Sequence, residues 1–291
     1  MKRSHYTLGT QMRAQALAPL LALTLIVAPH AAARTWQAAA PLLTDAQMEQ
    51  FLLTARVADA RELSKGVTAS LRATLSGPTL THDVHIQDVS VTKAEFRSRD
   101  GLERNFRDSW RFNIAAYRID RLLDLRLVPV SVQRSHKGSR AAFTWWIDDV
   151  LMDEGERLKQ KVLPPDMPCW IEQARLLHVF DELIDNRDRN VGNTLITTKW
   201  RIWAIDHTRA FRYGKVLRNP ARLTGIDRGV LARLEALDFA VLERIVDGHI
   251  SDTDIRNLLA RRDAMVEHFR KLGEAALYDR RDPETGCRGT L

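Results

Sequence analysis

A polar stretch, Asp185-Asn186-Arg187-Asp188-Arg189-Asn190-Val191-Gly192-Asn193, joins an apolar helical run (174–184) to two short β-runs, 194–197 and 200–205. Trp170, Leu177, Phe180 and Ile184 fall on one helical stripe, with Asp166 placed to cap it. Only Thr198-Lys199 separates the β-runs, which predicts a tight hairpin. The outer ends of such a hairpin lie about 5 Å apart, the spacing of neighbouring strands. Asn193 precedes the first strand and Asp206 follows the second, so their oxygens are expected to meet. Asp188, five residues before Asn193, is expected beside them.

The chain has 291 residues and is 45% hydrophobic, enough for a sizeable core in one or two domains. Lys2, Arg3 and Arg13 precede an apolar run (17–28), and Ala31-Ala32-Ala33 offers a small-residue cleavage site. Residues 1–33 therefore read as a secretory signal peptide, with an uncleaved anchor as the alternative. The run is short and broken by Pro19, and no later segment is long enough to span a bilayer. The expectation is an exported protein, periplasmic or secreted, with no membrane span after cleavage. Cleavage removes three basic residues and takes the formal charge from +7 to +4. So small an excess gives no argument for nucleic-acid binding. Cys169 and Cys287 are the only cysteines. An oxidising compartment permits a bond between them, but sequence does not show whether they approach.

Residues 34–60 read as a linker and a helix, with Thr44 and Gln47 spaced as a capping box. Two strands are expected at 66–76 and 79–89 around a Gly77-Pro78 turn, then a polar loop at 93–105. A helix is expected from about Phe106 to Leu123, with Phe112, Ala115, Ala116, Ile119, Leu122 and Leu123 on its apolar face. Further strands are expected at 127–134 and 141–150. From Leu151 the pattern becomes mostly helical, and it ends in three helices, the last capped by Ser251. Strands around one helix, followed by helices with a small hairpin, give an α+β architecture. Its β-rich N-lobe is expected at 61–150 and its mainly helical C-lobe at 151–291, with a cleft near 149–155.

A carboxylate base, a metal amide and a metal carboxylate are what metal-dependent phosphoryl transfer requires of a protein. Asp188-Arg189-Asn190-Val191-Gly192-Asn193, then a hairpin and Ile205-Asp206-His207, resembles the catalytic and metal segments of atypical kinases. The nearest types are phosphatidylinositol 3-/4-kinases, HipA-like kinases and secretory-pathway casein kinases, and the layout is similar to an uncharacterised group of secreted bacterial proteins. Ordinary protein kinases carry H-R-D-x-x-x-x-N and D-F-G at the corresponding places, with the same Asp-to-Asn spacing. The resemblance covers most of 60–291. It implies a two-lobed protein-kinase-like fold with ATP and Mg or Mn in the cleft, and a hydroxyl-bearing acceptor. By position it implies Asp188 as catalytic base and Arg189 as loop support through a carboxylate. Asn193 and Asp206 become metal ligands, and Asp149, Val150 and Leu151 the hinge beside the adenine.

The upper lobe departs from that pattern. A strand Lys and a helix Glu are the usual pair. Val84-His85-Ile86-Gln87 places Gln87 where the Lys belongs, and Asn113 stands near the place of the Glu. Gln and Asn can hydrogen-bond each other without neutralising phosphate, which leaves Lys93 or Lys65 to reach in. The glycine-rich loop is reduced to Gly66, and His207 and Thr208 replace the Phe and Gly of D-F-G. These departures motivate a second reading, a pseudokinase that binds nucleotide or a partner without transfer. Nucleotidyl transfer to protein is a third.

Simpler readings stand beside these. Asp and Asn in such a loop are often turn formers. Asn186, Asp188 and Asn190 alternate as in a calcium loop, but Thr197 stands where the closing carboxylate belongs. His82 and His85 fall on opposite strand faces with no third ligand evident. Trp145 and Trp146 fit core and cleft wall. The basic segment 209–228 suits either an acidic substrate or a solvated loop.

Overall fold

The computed structural model describes residues 43–63, 70–98, 101–187 and 189–281. The signal peptide, Lys65, Gly66, Asp188 and Cys287 lie outside these residues. Among the described residues, no helix is long and apolar enough to cross a membrane.

Helix α1 (Asp45–Thr54) begins on the expected capping box: Thr44 Oγ1 accepts the Gln47 N–H, and Gln47 Oε1 accepts the Thr44 N–H at 2.8 Å. It belongs to the upper lobe, because Leu52 is fully buried against the sheet. Next come β1 (Arg56–Glu62), β2 (Leu71–Ser76), β3 (Thr81–Gln87), β4 (Ser90–Ser98), β5 (Gly101–Ser109), α2 (Arg111–Leu122), β6 (Ser131–His136) and β7 (Ser139–Trp145). Five strands form an antiparallel sheet in the order β1-β2-β3-β7-β6. The first strand starts at Arg56, ahead of the expected lobe boundary. Val84 and Ile86 are buried in the same core as Ala115, Ala116 and Ile119 of α2. Those three α2 residues are among the ones helical spacing marks.

Residues 93–98 and 101–105 are not a loop. They belong to the antiparallel ribbon β4–β5, paired from Ser90–Ser109 to Ser98–Gly101. Most of β4 is exposed, so hydrophobic alternation is weak there while the backbone ladder still forms. The ribbon consumes 106–109, so α2 begins at Arg111, five residues later than expected.

The lower lobe contains β8 (Val150–Asp153), α3 (Glu154–Gln160), α4 (Met167–Leu183), β9 (Thr194–Thr197) and β10 (Ile202–Ala204). After these come β11 (Ile226–Asp227), α5 (Arg228–Glu235), α6 (Phe239–Val246), α7 (Asp252–Leu272) and β12 (Leu277–Tyr278). Residues 150–153 are a strand rather than the start of a helix, because they pair with β9 in the sheet β10-β9-β8. Asp166 caps α4 by accepting the Cys169 N–H at 3.0 Å. Leu177, Phe180 and Ile184 are buried below it, each burial contributing about 1.5–3 kcal/mol. Ser251 caps α7 in a box with Asp254. Cys169 is disulfide-bonded.

Two arginines tie distant elements together. Arg107 on β5 binds the Asp254 carboxylate on α7 at 2.7 Å and also the Phe211 carbonyl. Arg261 on α7, 1% exposed, donates to the Leu183 carbonyl at 2.8 Å and to the Gly214 carbonyl. A cation there meets the negative end of α4. Burial lowers the Arg261 pKa to about 10, so it stays charged at neutral pH.

Candidate active site

Helix α4 ends where Asp185 turns into the left-handed region (φ 46°). Asp185 is 2% exposed and takes a two-pronged bond from Arg187 at 2.9 and 3.0 Å. The Gly214 N–H also donates to it at 3.2 Å. Asn186 turns back and donates to Asp181 at 2.9 Å. Asn190 Oδ1 accepts the N–H groups of Gly192 and Asn193 at 2.9 and 3.1 Å. The Asn190 oxygen is thus spent on the loop itself, which disfavours the calcium-loop alternative.

The hairpin behaves as expected at its open end. Thr194 pairs with Ala204, and the Ile205 N–H donates to the Asn193 carbonyl at 3.0 Å. Asn193 and Asp206 therefore leave adjacent strand ends. The closed end differs from a two-residue turn. Thr197 N–H bonds the Arg201 carbonyl, so the connection is Thr198–Trp200, with Trp200 left-handed at φ 60°. This is the three-residue hairpin in which a turn is followed by one left-handed residue.

Arg189 binds the whole arrangement together. It donates to the Asp181 carboxylate at 3.0 Å, to the Asn193 carbonyl at 3.0 Å and to the Ile205 carbonyl at 2.7 Å. It also lies 2.8 Å from His207 Nε2. A guanidinium has only donors, so this ring nitrogen is the acceptor and the imidazole is neutral. Burial holds the His207 pKa well below its usual value, and the Arg189 charge adds to that. The carboxylate partner expected of Arg189 is Asp181.

Asp206 is left-handed (φ 55°) and half-buried, and Oδ1 accepts the Thr208 hydroxyl at 3.0 Å. The Asn193 side chain is half-exposed and has no hydrogen-bond partner among the described residues. His85 projects from β3 toward Asp206. Burial lowers its pKa, and the Asp206 carboxylate pulls the other way. A carboxylate oxygen and an unspent amide at adjacent strand ends are hard oxygen donors of the kind Mg²⁺ or Mn²⁺ takes, so the residues fit such an ion.

Gln87 and Asn113 meet as their chemistry allows. They are 2% and 5% exposed, and the Asn113 amide donates to Gln87 Oε1 at 2.8 Å. Sequence reasoning missed the second half of this link: Asn113 Oδ1 accepts the His207 backbone N–H at 2.8 Å. Lys93 stands exposed on β4 with its ammonium 5.3 Å over the Phe96 ring. The Asp149 carbonyl accepts the Thr198 N–H at 2.9 Å, and Val150 and Leu151 are exposed. That segment joins the five-stranded sheet to the smaller one, as a hinge does.

The histidines expected on opposite faces of β3 are separated there. His82 bonds Asp148 at 2.8 Å and stacks on Trp145. Of the basic segment, Arg209 and Arg212 both bind Glu103 of β5, and Arg222 bonds His178 at 2.8 Å. Much of its charge therefore serves the fold. Among the described residues, no cluster of three or more His, Cys, Asp or Glu forms a metal site.

No family model matches the chain, and no curated protein matches it. Solved structures do. A hydra Fam20 solved with sugar superimposes with a TM-score of 0.57 at 15% identity, covering 80% of this chain and 92% of that one. The Golgi casein kinase with Mn/ADP bound gives 0.55 at 12% identity, covering 79% and 76%. A second structure of the Golgi casein kinase gives 0.52 at 13% identity, covering 82% and 79%. The chain has the two-lobed, atypical kinase-like fold of these proteins.

Proposed function

We propose that this chain is an exported kinase-like phosphotransferase that moves the terminal phosphoryl group of ATP to a hydroxyl-bearing acceptor. The observation that carries this reading is the clamp on the hairpin. Arg189 holds the Asn193 and Ile205 carbonyls together, so Asn193 and Asp206 leave adjacent strand ends. A divalent ion bound there supplies charge neutralisation at the phosphates. Asn193 and Asp206 hold it, and Asp188 takes the proton of the attacking hydroxyl. The new bond is acceptor oxygen to phosphorus, the broken one is phosphorus to the bridging oxygen, and ADP leaves. Asp149, Val150 and Leu151 edge the adenine side. Neutral Gln87 and Asn113 position α2 against the metal loop instead of pairing with phosphate. The nucleotide and manganese in the Golgi casein kinase structure support this choice of cofactors. Export rests on the sequence of residues 1–33.

The neutral Gln87–Asn113 pair favours a second reading, nucleotide binding without transfer. Calorimetry with ATP and Mn²⁺ or Mg²⁺ tests binding. Mass spectrometry after incubation with ATP then separates the outcomes: a phosphate adduct on an acceptor supports the kinase, an AMP adduct supports nucleotidyl transfer, and binding with no adduct supports the pseudokinase. Asp188→Ala is expected to abolish transfer in a folded protein. No binding of any nucleotide–metal pair would overturn both transfer readings and nucleotide binding by a pseudokinase.

A further inference from the structure

Behind α2 lies a second cavity of about 400 Å³, walled by α1, α2, β6, β7 and the turn between α6 and α7. Arg111 and Arg118 of α2, Arg140 of β7, Ser131 and Gln133 of β6, and His249 of the turn line it. Arg111 and Arg118 are two turns apart and share one helix face. At about 100° per residue, Asn113 lies roughly 200° round from Arg111, toward the cleft instead. The lining shares no residue with the loops that carry Asn193 and Asp206.

The charges here are poorly compensated. Arg111 packs over the Trp110 ring at 5.5 Å, and neither it nor Arg140 has a carboxylate partner among the described residues. Arg118 donates to the Ile245 carbonyl at 3.0 Å and reaches Asp247 only at 3.5 Å, where that side chain is 74% exposed. The cavity's other acid, Glu49, accepts the Tyr117 hydroxyl at 2.7 Å. His249 is 7% exposed; Nδ1 is spent on the Val246 carbonyl at 2.7 Å, and Nε2 has no partner among the described residues. Three guanidiniums gathered around a polar hollow repel one another unless an anion joins them. Guanidinium forks match the oxygens of phosphate, and a cavity of this size suits a small molecule.

We propose that this cavity binds a small, multiply charged oxyanion of the phosphate class through Arg111, Arg118 and Arg140, with His249 at its inner wall. The site stands apart from the cleft and does not depend on the kinase reading. Calorimetry of the full chain with pyrophosphate, in EDTA to remove divalent ions, tests it. One saturable site is expected. Arg111→Gln with Arg140→Gln, both exposed positions, is expected to weaken it at least about tenfold, the loss of one or two charge-assisted bonds. Asp206→Ala is expected to leave it unchanged. Pyrophosphate is also expected to shift the His249 imidazole resonances. No saturable binding, equal binding by the double variant, loss in Asp206→Ala, or an unmoved His249 signal each overturns the proposal; thermal unfolding confirms that the variants are folded.

Discussion

Asn113 accepts the backbone N–H of His207 through its side-chain carbonyl at 2.8 Å, while its amide donates to Gln87 at 2.8 Å. One buried amide therefore joins helix α2, strand β3 and the residue that follows Asp206. Both bonds are uncharged, so salt does not screen this junction as it would an ion pair.

Replacing Asn113 with Leu removes both bonds and leaves the His207 N–H buried without this acceptor. The expected loss is about 2–4 kcal/mol, read by urea denaturation. The loss is expected to be the same at 0.05 and 0.5 M salt. A loss that shrinks strongly with salt would show that charge, not the neutral amide, holds the junction.

Arg189→Lys keeps the charge and loses the fork. A lysine cannot reach Asp181, His207 and two carbonyls together. Stability is expected to fall by about 2–3 kcal/mol, and ATP affinity in Mn²⁺ to fall with it. Calorimetry on the folded variant checks this. Unchanged affinity would mean that the clamp does not set the seats of Asn193 and Asp206.

Gly214 is required by a close approach. A Cβ there would stand 2.7 Å from Asp185 Oδ2 and 3.1 Å from an Arg187 nitrogen. Gly214→Ala is expected to cost about 1–3 kcal/mol by pushing that pair apart. Thermal unfolding measures it, and a neutral result would place Asp185 elsewhere in solution.

Asp120 gives a pH test. It is fully buried and accepts the Leu127 N–H at 2.8 Å, with Arg121 beside it. Burial pushes its pKa up to about 6, against the lowering effect of Arg121 and the backbone N–H groups. The folded state thus holds the proton between pH 4 and 6 while the unfolded chain releases it. Its contribution to stability is greatest below pH 4 and falls as pH rises through 6, by at most about 1.4 kcal/mol per unit. Denaturation of Asp120→Asn beside the native protein is expected to show that slope only in the native protein.

Much of the lower lobe could be read from local spacing. The α4 stripe, its Asp166 cap, the hairpin ends and the Ser251 box all depend on residues a few positions apart. The β4–β5 ribbon escaped because much of its length is exposed and carries no apolar alternation. The Thr198–Trp200 turn escaped because a tryptophan with φ 60° is not a turn signal.

Sequence by itself determined that Asn193 and Asp206 would leave adjacent strand ends, because a hairpin brings its own ends together whatever surrounds it. Only the tertiary structure decided what holds them. The His207 partner of Asn113 lies 94 residues away, and Arg189 finds its acceptors on α4, the loop and the hairpin. The arginines behind α2 likewise gather only when helix, sheet and turn pack. Such contacts carry no periodic signal. Each depends on where whole elements come to rest, which burial of their apolar faces sets and adjacent residues do not encode.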